Sequence, residues 1–168
     1  MRTSFRMGIT FFTSFQILTA AFALHAGETV SDVVKMENPA YTKHVKDIVE
    51  FKHKAHAEEF SKKYPQIFEK GCGECHHDKQ NKPLTDLTYG DNVKNCIECH
   101  KKPGEMPKKV KRELKAEKIS RREMKLKERE YHAEALHDKC RGCHREARKK
   151  AHTRKPPITC SKCHTKDA

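Results

Sequence analysis

The segment Cys72-Gly73-Glu74-Cys75-His76 carries the pattern that decides the fold, because the chain repeats it three more times. The other copies are Cys96-Ile97-Glu98-Cys99-His100, Cys140-Arg141-Gly142-Cys143-His144 and Cys160-Ser161-Lys162-Cys163-His164. Together the four copies use all eight cysteines of the chain. With 12 histidines in 168 residues, a histidine would follow all four pairs by chance about once in 40,000 sequences. The spacing therefore reflects a chemical requirement.

This C-x-x-C-H spacing is typical of covalent haem attachment. Two thiols add to the two vinyl groups of one haem, and the adjacent histidine supplies an axial nitrogen to the iron. Cysteine pairs also suit zinc, but zinc does not require a histidine directly after every second cysteine. We therefore predict four covalently bound haems of the c type. The predicted attachment sites are Cys72, Cys75, Cys96, Cys99, Cys140, Cys143, Cys160 and Cys163.

The N-terminal segment has the layout of a secretory signal peptide. Two arginines precede an uncharged, mostly apolar run at 7–24, which ends in small residues. We expect a signal peptide at 1–26, cleaved after Ala26, with Ala23 as the alternative site. A retained membrane anchor is disfavoured because several Thr, Ser and Gln residues dilute the run. An exported chain with paired cysteines would ordinarily hold disulfides, but the histidine after each pair favours haem.

Composition sets a limit on the core that side chains can form. Hydrophobic and charged residues each make up 35% of the chain, and Trp is absent. Beyond residue 26 the only phenylalanines are Phe51, Phe60 and Phe68. Ordering each residue costs about 1 to 2 kcal/mol, which so few apolar side chains cannot offset in a large domain. A large independent enzyme domain is therefore excluded, and the haems are expected to form the core.

The histidines are numerous enough to give every iron two imidazole ligands. The predicted proximal ligands are His76, His100, His144 and His164. Seven further histidines follow residue 26, namely His44, His53, His56, His77, His132, His137 and His152. Bis-histidine ligation lacks the methionine ligand that raises reduction potentials, so low potentials are expected. It also closes the iron to substrate, which favours electron transfer over catalysis.

Position selects four of these histidines as candidate distal ligands. His53 and His56 are three residues apart, so on a helix they project from one face. His77 directly follows the first motif and points about 100° away from its neighbour on a helix. His137 lies just before the third motif, and His132 competes with it. The two remaining histidines have weaker contexts, and we expect them to be solvated or to serve packing.

The order of these motifs resembles the class III tetrahaem cytochromes c, the periplasmic cytochromes c-three of sulfate-reducing bacteria. The likeness covers roughly residues 50–168. It implies that His53 pairs with His76, His77 with His100, His56 with His144, and His137 with His164. It also implies short helices wrapped around closely packed haems. Two departures stand out: every motif here has two intervening residues, and the stretch between the second and third motifs is long for the family.

We therefore predict a mainly α fold with much irregular structure. A longer charged helix or helical hairpin is expected at about 105–138, where the capping-box sequence Ser120-Arg121-Arg122-Glu123 predicts a break near Ile119 and a second helix to about His137. Residues 27–49 are expected to form an N-terminal extension and residues 50–168 the tetrahaem domain. Residues 48–51 are expected to be a short strand or the start of the histidine-bearing helix.

Charge indicates an acidic redox partner or an anionic membrane surface. The formal net charge is +13; without 1–26 there are 34 basic and 23 acidic residues, and four oxidised haems would bring the charge to about +7. Nucleic acid is disfavoured because no aromatic residues interleave the basic runs. Basic residues cluster around the third and fourth motifs, at Lys139, Arg141, Lys149, Lys150, Arg154, Lys155, Lys162 and Lys166. In the family such an edge docks hydrogenase-type partners, and we expect the same here.

The resulting expectation is a monomeric, periplasmic, low-potential electron carrier, not an enzyme. Its expected partners are periplasmic hydrogenase or formate dehydrogenase and a membrane-bound redox complex. The first alternative is a multihaem reductase, which requires an iron with an open site. The second is a zinc-binding interaction module.

Overall fold

The computed structural model describes residues 30–165. The expected signal peptide lies outside this part of the chain. Two short strands, β1 (Val34–Lys35) and β2 (Glu50–Phe51), pair antiparallel with Val34 opposite Phe51. The strand alternative for residues 48–51 is therefore the one observed. The pairing holds the start of the described chain against the residues that directly precede His53 and His56, the first two candidate distal ligands.

Helical turns make up most of the regular structure, and irregular chain joins them. A π-helical stretch at Ala55–Phe60 continues into α1 (Ser61–Lys63), and a 3-10 turn follows at Gly71–Glu74. The later helices are α2 (Cys96–Cys99), α3 (Lys108–Ala116), α4 (Arg121–Arg129), α5 (His132–Lys150) and α6 (Cys160–Cys163). The mainly α class with much irregular structure is confirmed.

The charged region at 105–138 has the predicted break. The side chain of Ser120 accepts from the N–H of Glu123, and the Glu123 carboxylate accepts from the N–H of Ser120 at 2.8 Å. This capping box starts α4, while Lys118 ends the preceding turn with a φ of 56°. Both groups satisfy backbone donors that a helix start leaves unpaired.

The helical region differs from a single hairpin in one respect. A second break falls at Glu130 and Tyr131, and α5 then runs through the third motif to Lys150 rather than ending near His137. No proline interrupts residues 132–150, and their many helix formers allow the helix to continue. The third motif therefore lies inside a long helix, whereas the others lie on single turns.

Side chains alone form only a small core. Among the described residues, the buried hydrophobic side chains are Met106 and Ala147. Most other apolar residues are partly exposed, as the low apolar content predicts. No helix in residues 30–165 is long and apolar enough to cross a membrane.

Candidate functional site

Each C-x-x-C-H motif is folded as a helical turn. In the first, second and fourth motifs, the histidine N–H donates to the carbonyl of the first cysteine at 2.8–2.9 Å. Residues three apart on such a turn share a face, so the two thiols of each pair point the same way. All eight cysteines are free. The local fold therefore presents two thiols and one imidazole together, as attachment to a single haem requires.

Five of the eight cysteines have a raised pKa, which favours the neutral thiol. Burial, with smaller contributions from neighbouring cysteines, raises the pKa of Cys75 to about 12 and that of Cys140 to about 11. Burial also raises the pKa of Cys96, Cys143 and Cys163. Within the described chain, no group of three or more His, Cys, Asp or Glu residues converges as a metal-binding cluster would.

Gly73 allows the first motif to pack against the following loop. A Cβ at this position would lie 3.0 Å from the Cβ of Pro83 and 3.2 Å from backbone atoms of Leu84. Such contacts are closer than side chains tolerate without movement. A Cβ at position 73 would therefore require this loop to move by a few tenths of an ångström.

The structure brings the eight candidate ligands together as four imidazole pairs. Ring centroids are 6.3 Å apart for His53 and His76, 6.0 Å for His77 and His100, 6.1 Å for His56 and His144, and 6.3 Å for His137 and His164. A metal–nitrogen bond of about 2 Å plus about 1.1 Å from nitrogen to ring centroid, on both sides, gives about 6.2 Å. Each pair is therefore spaced to hold one metal ion between its rings.

Hydrogen bonds set the tautomer of five of these imidazoles. The Nδ1 atom of each lies 2.5–2.9 Å from a backbone carbonyl oxygen. The carbonyl belongs to Lys52 for His56, to Asp78 for His77, to Arg129 for His100, to Pro157 for His144 and to Asp47 for His164. A carbonyl oxygen only accepts, so each Nδ1 carries the hydrogen. Nε2 is left with the free lone pair that binds a metal.

The first imidazole pair is half-buried and neutral. Burial lowers the pKa of His53, and burial together with neighbouring charges lowers that of His76. The ring of His53 stacks on Tyr89 at 5.4 Å, and its buried Nδ1 has no hydrogen-bond partner within residues 30–165. Neutral imidazole is the form that ligates a metal.

Asp138, beside His137, serves the scaffold and not the imidazole. Its Oδ2 accepts from two nitrogens of Arg129 at 3.0 and 2.8 Å, and its Oδ1 accepts from Lys125 at 2.9 Å. Burial raises the pKa of this carboxyl, but the bonds from Lys125 and Arg129 outweigh burial and lower it. The Nδ1 of His137 instead lies 3.3 Å from Glu105 Oε1.

His132 and His137 have different surroundings. His137 faces His164, whereas His132 contacts Tyr41, whose hydroxyl lies 2.8 Å from its Nδ1. Of the remaining histidines, His44 is exposed, and its ring stacks on the ring of Tyr41 with centroids 5.5 Å apart. The pairing thus groups the same eight histidines that position and resemblance select.

Sequence reasoning missed the groups that support the imidazoles. Tyr89 stacks on His53 and donates its hydroxyl hydrogen to Asp32 at 2.8 Å, while Tyr41 bonds His132. Only four tyrosines occur in the chain, and this scarcity is the one sequence feature that could have indicated a supporting role for Tyr41 and Tyr89. The carbonyl acceptors are main-chain atoms and leave no residue type to recognise.

These donors fit haem. Paired thiols beside paired imidazoles, with few buried side chains among residues 30–165, define a c-type cytochrome. The family model of the class III cytochrome c family matches residues 29–164. The chain belongs to that family, so the predicted resemblance is confirmed. The match begins at residue 29, ahead of the expected likeness at about 50–168, and so includes most of the expected N-terminal extension at 27–49. Comparison with curated proteins found no similar protein, and comparison with solved structures found no similar structure.

Membership establishes the general character of the protein. Class III cytochromes c carry covalently attached haem and generally act as multihaem electron carriers, typically in the periplasm. This supports the expected non-enzymatic role.

Proposed function

We propose that the protein is a periplasmic electron carrier with four c-type haems, each ligated by two histidines. The observation that carries the proposal is the set of four imidazole pairs at 6.0–6.3 Å. One pair could arise from packing, but four pairs of equal spacing, each containing the histidine of one motif, fit a common ligand. When bound, each iron supplies a one-electron couple between its ferric and ferrous states.

The cysteines and histidines divide the work of holding these groups. In each motif the two cysteines form the covalent links, and the adjacent histidine is the proximal ligand. The proposed distal ligand of the first haem is His53, opposite His76, and that of the second is His77, opposite His100. His56 is the proposed distal ligand of the third haem, opposite His144, and His137 that of the fourth, opposite His164. The backbone carbonyls that accept from Nδ1 orient the rings and raise their basicity, which favours low reduction potentials.

Two imidazoles per iron favour a carrier over the reductase alternative. A reductase requires an open coordination position, whereas here every motif histidine faces a second imidazole. Zinc is the weaker alternative, because zinc does not require a histidine directly after every second cysteine, and here each motif histidine faces a second imidazole. A carrier that exchanges only electrons needs no substrate pocket at the iron.

The docking surface is proposed around the fourth motif. Arg154, Lys155 and Lys162 are exposed and make no ion pair with another described residue. Lys149 and Lys150 are also exposed, although Glu146 and Glu69 partly neutralise them. Free positive charge at this edge would steer an acidic redox partner into encounter. The proposed partners are periplasmic hydrogenase or formate dehydrogenase, with a membrane-bound redox complex at the other end.

Haem counting tests the proposal first. The protein, expressed with its leader in a host that assembles c-type cytochromes, should give four haems per chain in a pyridine haemochrome assay. Intact mass should show four additions of about 0.6 kDa each and loss of residues 1–26. Absence of covalent haem would refute the proposal and favour zinc. A high-spin ferric haem in the oxidised protein would refute complete bis-histidine ligation and favour the reductase.

Partner choice is tested separately. The double variant Lys155→Glu, Lys162→Glu should slow electron exchange with an acidic hydrogenase, and rising salt should slow the native protein in the same way. The matched control is Lys108→Glu, Lys109→Glu, which reverses two charges on α3. Equal slowing by both double variants would contradict the proposed edge.

A further inference from the structure

His132 is a buried imidazole that the proposed ligation does not use. It is the one buried polar or charged side chain in residues 30–165, with 6% of its surface exposed. Burial, with a smaller contribution from nearby His100, lowers its pKa, so the ring is neutral. The Tyr41 hydroxyl lies 2.8 Å from Nδ1, and the Tyr41 ring meets the imidazole edge-on at 5.7 Å. This contact joins residues 91 positions apart.

The backbone of His132 holds the chain that leaves the second motif. Its N–H donates to the carbonyl of Lys102 at 2.7 Å, and the Lys102 N–H donates to the carbonyl of Glu130 at 3.1 Å. Lys102 and Tyr131 form an isolated parallel bridge between these bonds. The junction between α4 and α5 is therefore fixed to a point two residues after His100.

The same junction orients the His100 imidazole. The carbonyl of Arg129, the last residue of α4, lies 2.5 Å from His100 Nδ1. This acceptor is a main-chain atom, so its position depends on what anchors the residues next to it. The ion pair of Lys102 and Glu130 is half exposed and can contribute little. His132 is the buried anchor at this junction, and its side chain is fixed by Tyr41.

We propose that His132 is a positioning residue for the proposed haem ligand His100. Tyr41 fixes the buried imidazole, which fixes the start of α5 against Lys102 and so holds the Arg129 carbonyl against His100 Nδ1. The inference rests on the proposed function, because it concerns the haem between His77 and His100. A hydrogen bond donated by Nδ1–H to a carbonyl oxygen makes the imidazole a stronger ligand of the iron and stabilises the ferric state.

Four variants of the holoprotein test this role. Tyr41→Phe removes only the hydroxyl, and His132→Leu removes the hydrogen bond at similar side-chain volume. His132→Asn restores a polar group close to the position of Nδ1. His44→Leu is the matched control, because His44 also contacts Tyr41, by stacking, but is exposed. The measurements are a redox titration and low-temperature electron paramagnetic resonance.

In Tyr41→Phe and His132→Leu, we expect one of the four potentials to rise and one low-spin signal to shift, while the others stay in place. The shift should be smaller in His132→Asn and absent in His44→Leu. Unchanged potentials in Tyr41→Phe, or a common shift of all four, would overturn the inference even if His132→Leu failed to fold. Four low-spin haems in the native protein with no variant effect would refute only this inference; fewer than four would refute the proposed function itself.

Discussion

Replacing Asp138 with Asn should destabilise the packing of α4 against α5. The carboxylate accepts three charge-assisted hydrogen bonds, two from Arg129 and one from Lys125, at 2.8–3.0 Å. Each would contribute about 1.5–3 kcal/mol if buried. The side chains of Asp138, Arg129 and Lys125 are 31, 42 and 46% exposed, so solvent screens them. We expect a total loss of about 1–2 kcal/mol, since an amide keeps part of the bonding.

The loss should depend on pH in a defined direction. The folded pKa of Asp138 is lowered, so its stabilisation is present above the unfolded pKa, near 3.9, and is lost as pH falls through the folded pKa. Thermal unfolding of the holoprotein should show Asp138→Asn melting about 3–8 °C below the native protein at pH 7. The difference should narrow as pH falls below about 4.

The control for this experiment is Glu146→Gln. Glu146 pairs with Lys149 at 3.1 Å across one turn of α5, and both side chains are more than half exposed. Its removal should change stability by less than about 0.5 kcal/mol. Equal melting temperatures for Asp138→Asn and the native protein at pH 7, or a difference that persists undiminished at pH 3, would refute the reasoning.

Two further substitutions address the ligands and the first motif. His137→Met should leave the haem of the fourth motif low-spin but raise its reduction potential, because methionine is the ligand that raises potentials. A redox titration checks this. If His132→Met gave this result instead, the roles of the two histidines would be exchanged. Gly73→Ala should lower the yield of four-haem protein, measured by intact mass, because the new Cβ would lie 3.0 Å from Pro83. Gly142→Ala meets nothing within 4 Å and should leave the yield unchanged.

The motifs and the helix break near Ile119 could be predicted from the sequence because they depend on local spacing. The cysteine pairs, the adjacent histidines and the capping box at Ser120 all act within a few residues. The length of α5 was underestimated, since nothing in the sequence marks either the second break at Tyr131 or the continuation through the third motif. The break depends instead on a bridge to Lys102, 29 positions earlier.

The pairing of the histidines required more than spacing. Position limited the distal candidates, and the family resemblance supplied the pairs, whose ring centroids lie 6.0–6.3 Å apart in the structure. The supporting contacts were beyond sequence reasoning, because backbone carbonyls such as those of Arg129 and Pro157 can lie beside any residue. The different surroundings of His132 and His137 likewise depend on the three-dimensional position of Tyr41.

Electron paramagnetic resonance of the fully oxidised holoprotein tests bis-histidine ligation most directly. The angle between two axial imidazole planes sets the splitting of the iron orbitals: near-parallel rings give a rhombic signal, and near-perpendicular rings give a signal at large g. The planes of His56 and His144 are 26° apart, whereas those of the other three pairs are 70–87° apart. We predict four low-spin haems, one rhombic and three of the large-g type. A high-spin signal from any haem would contradict bis-histidine ligation at all four irons.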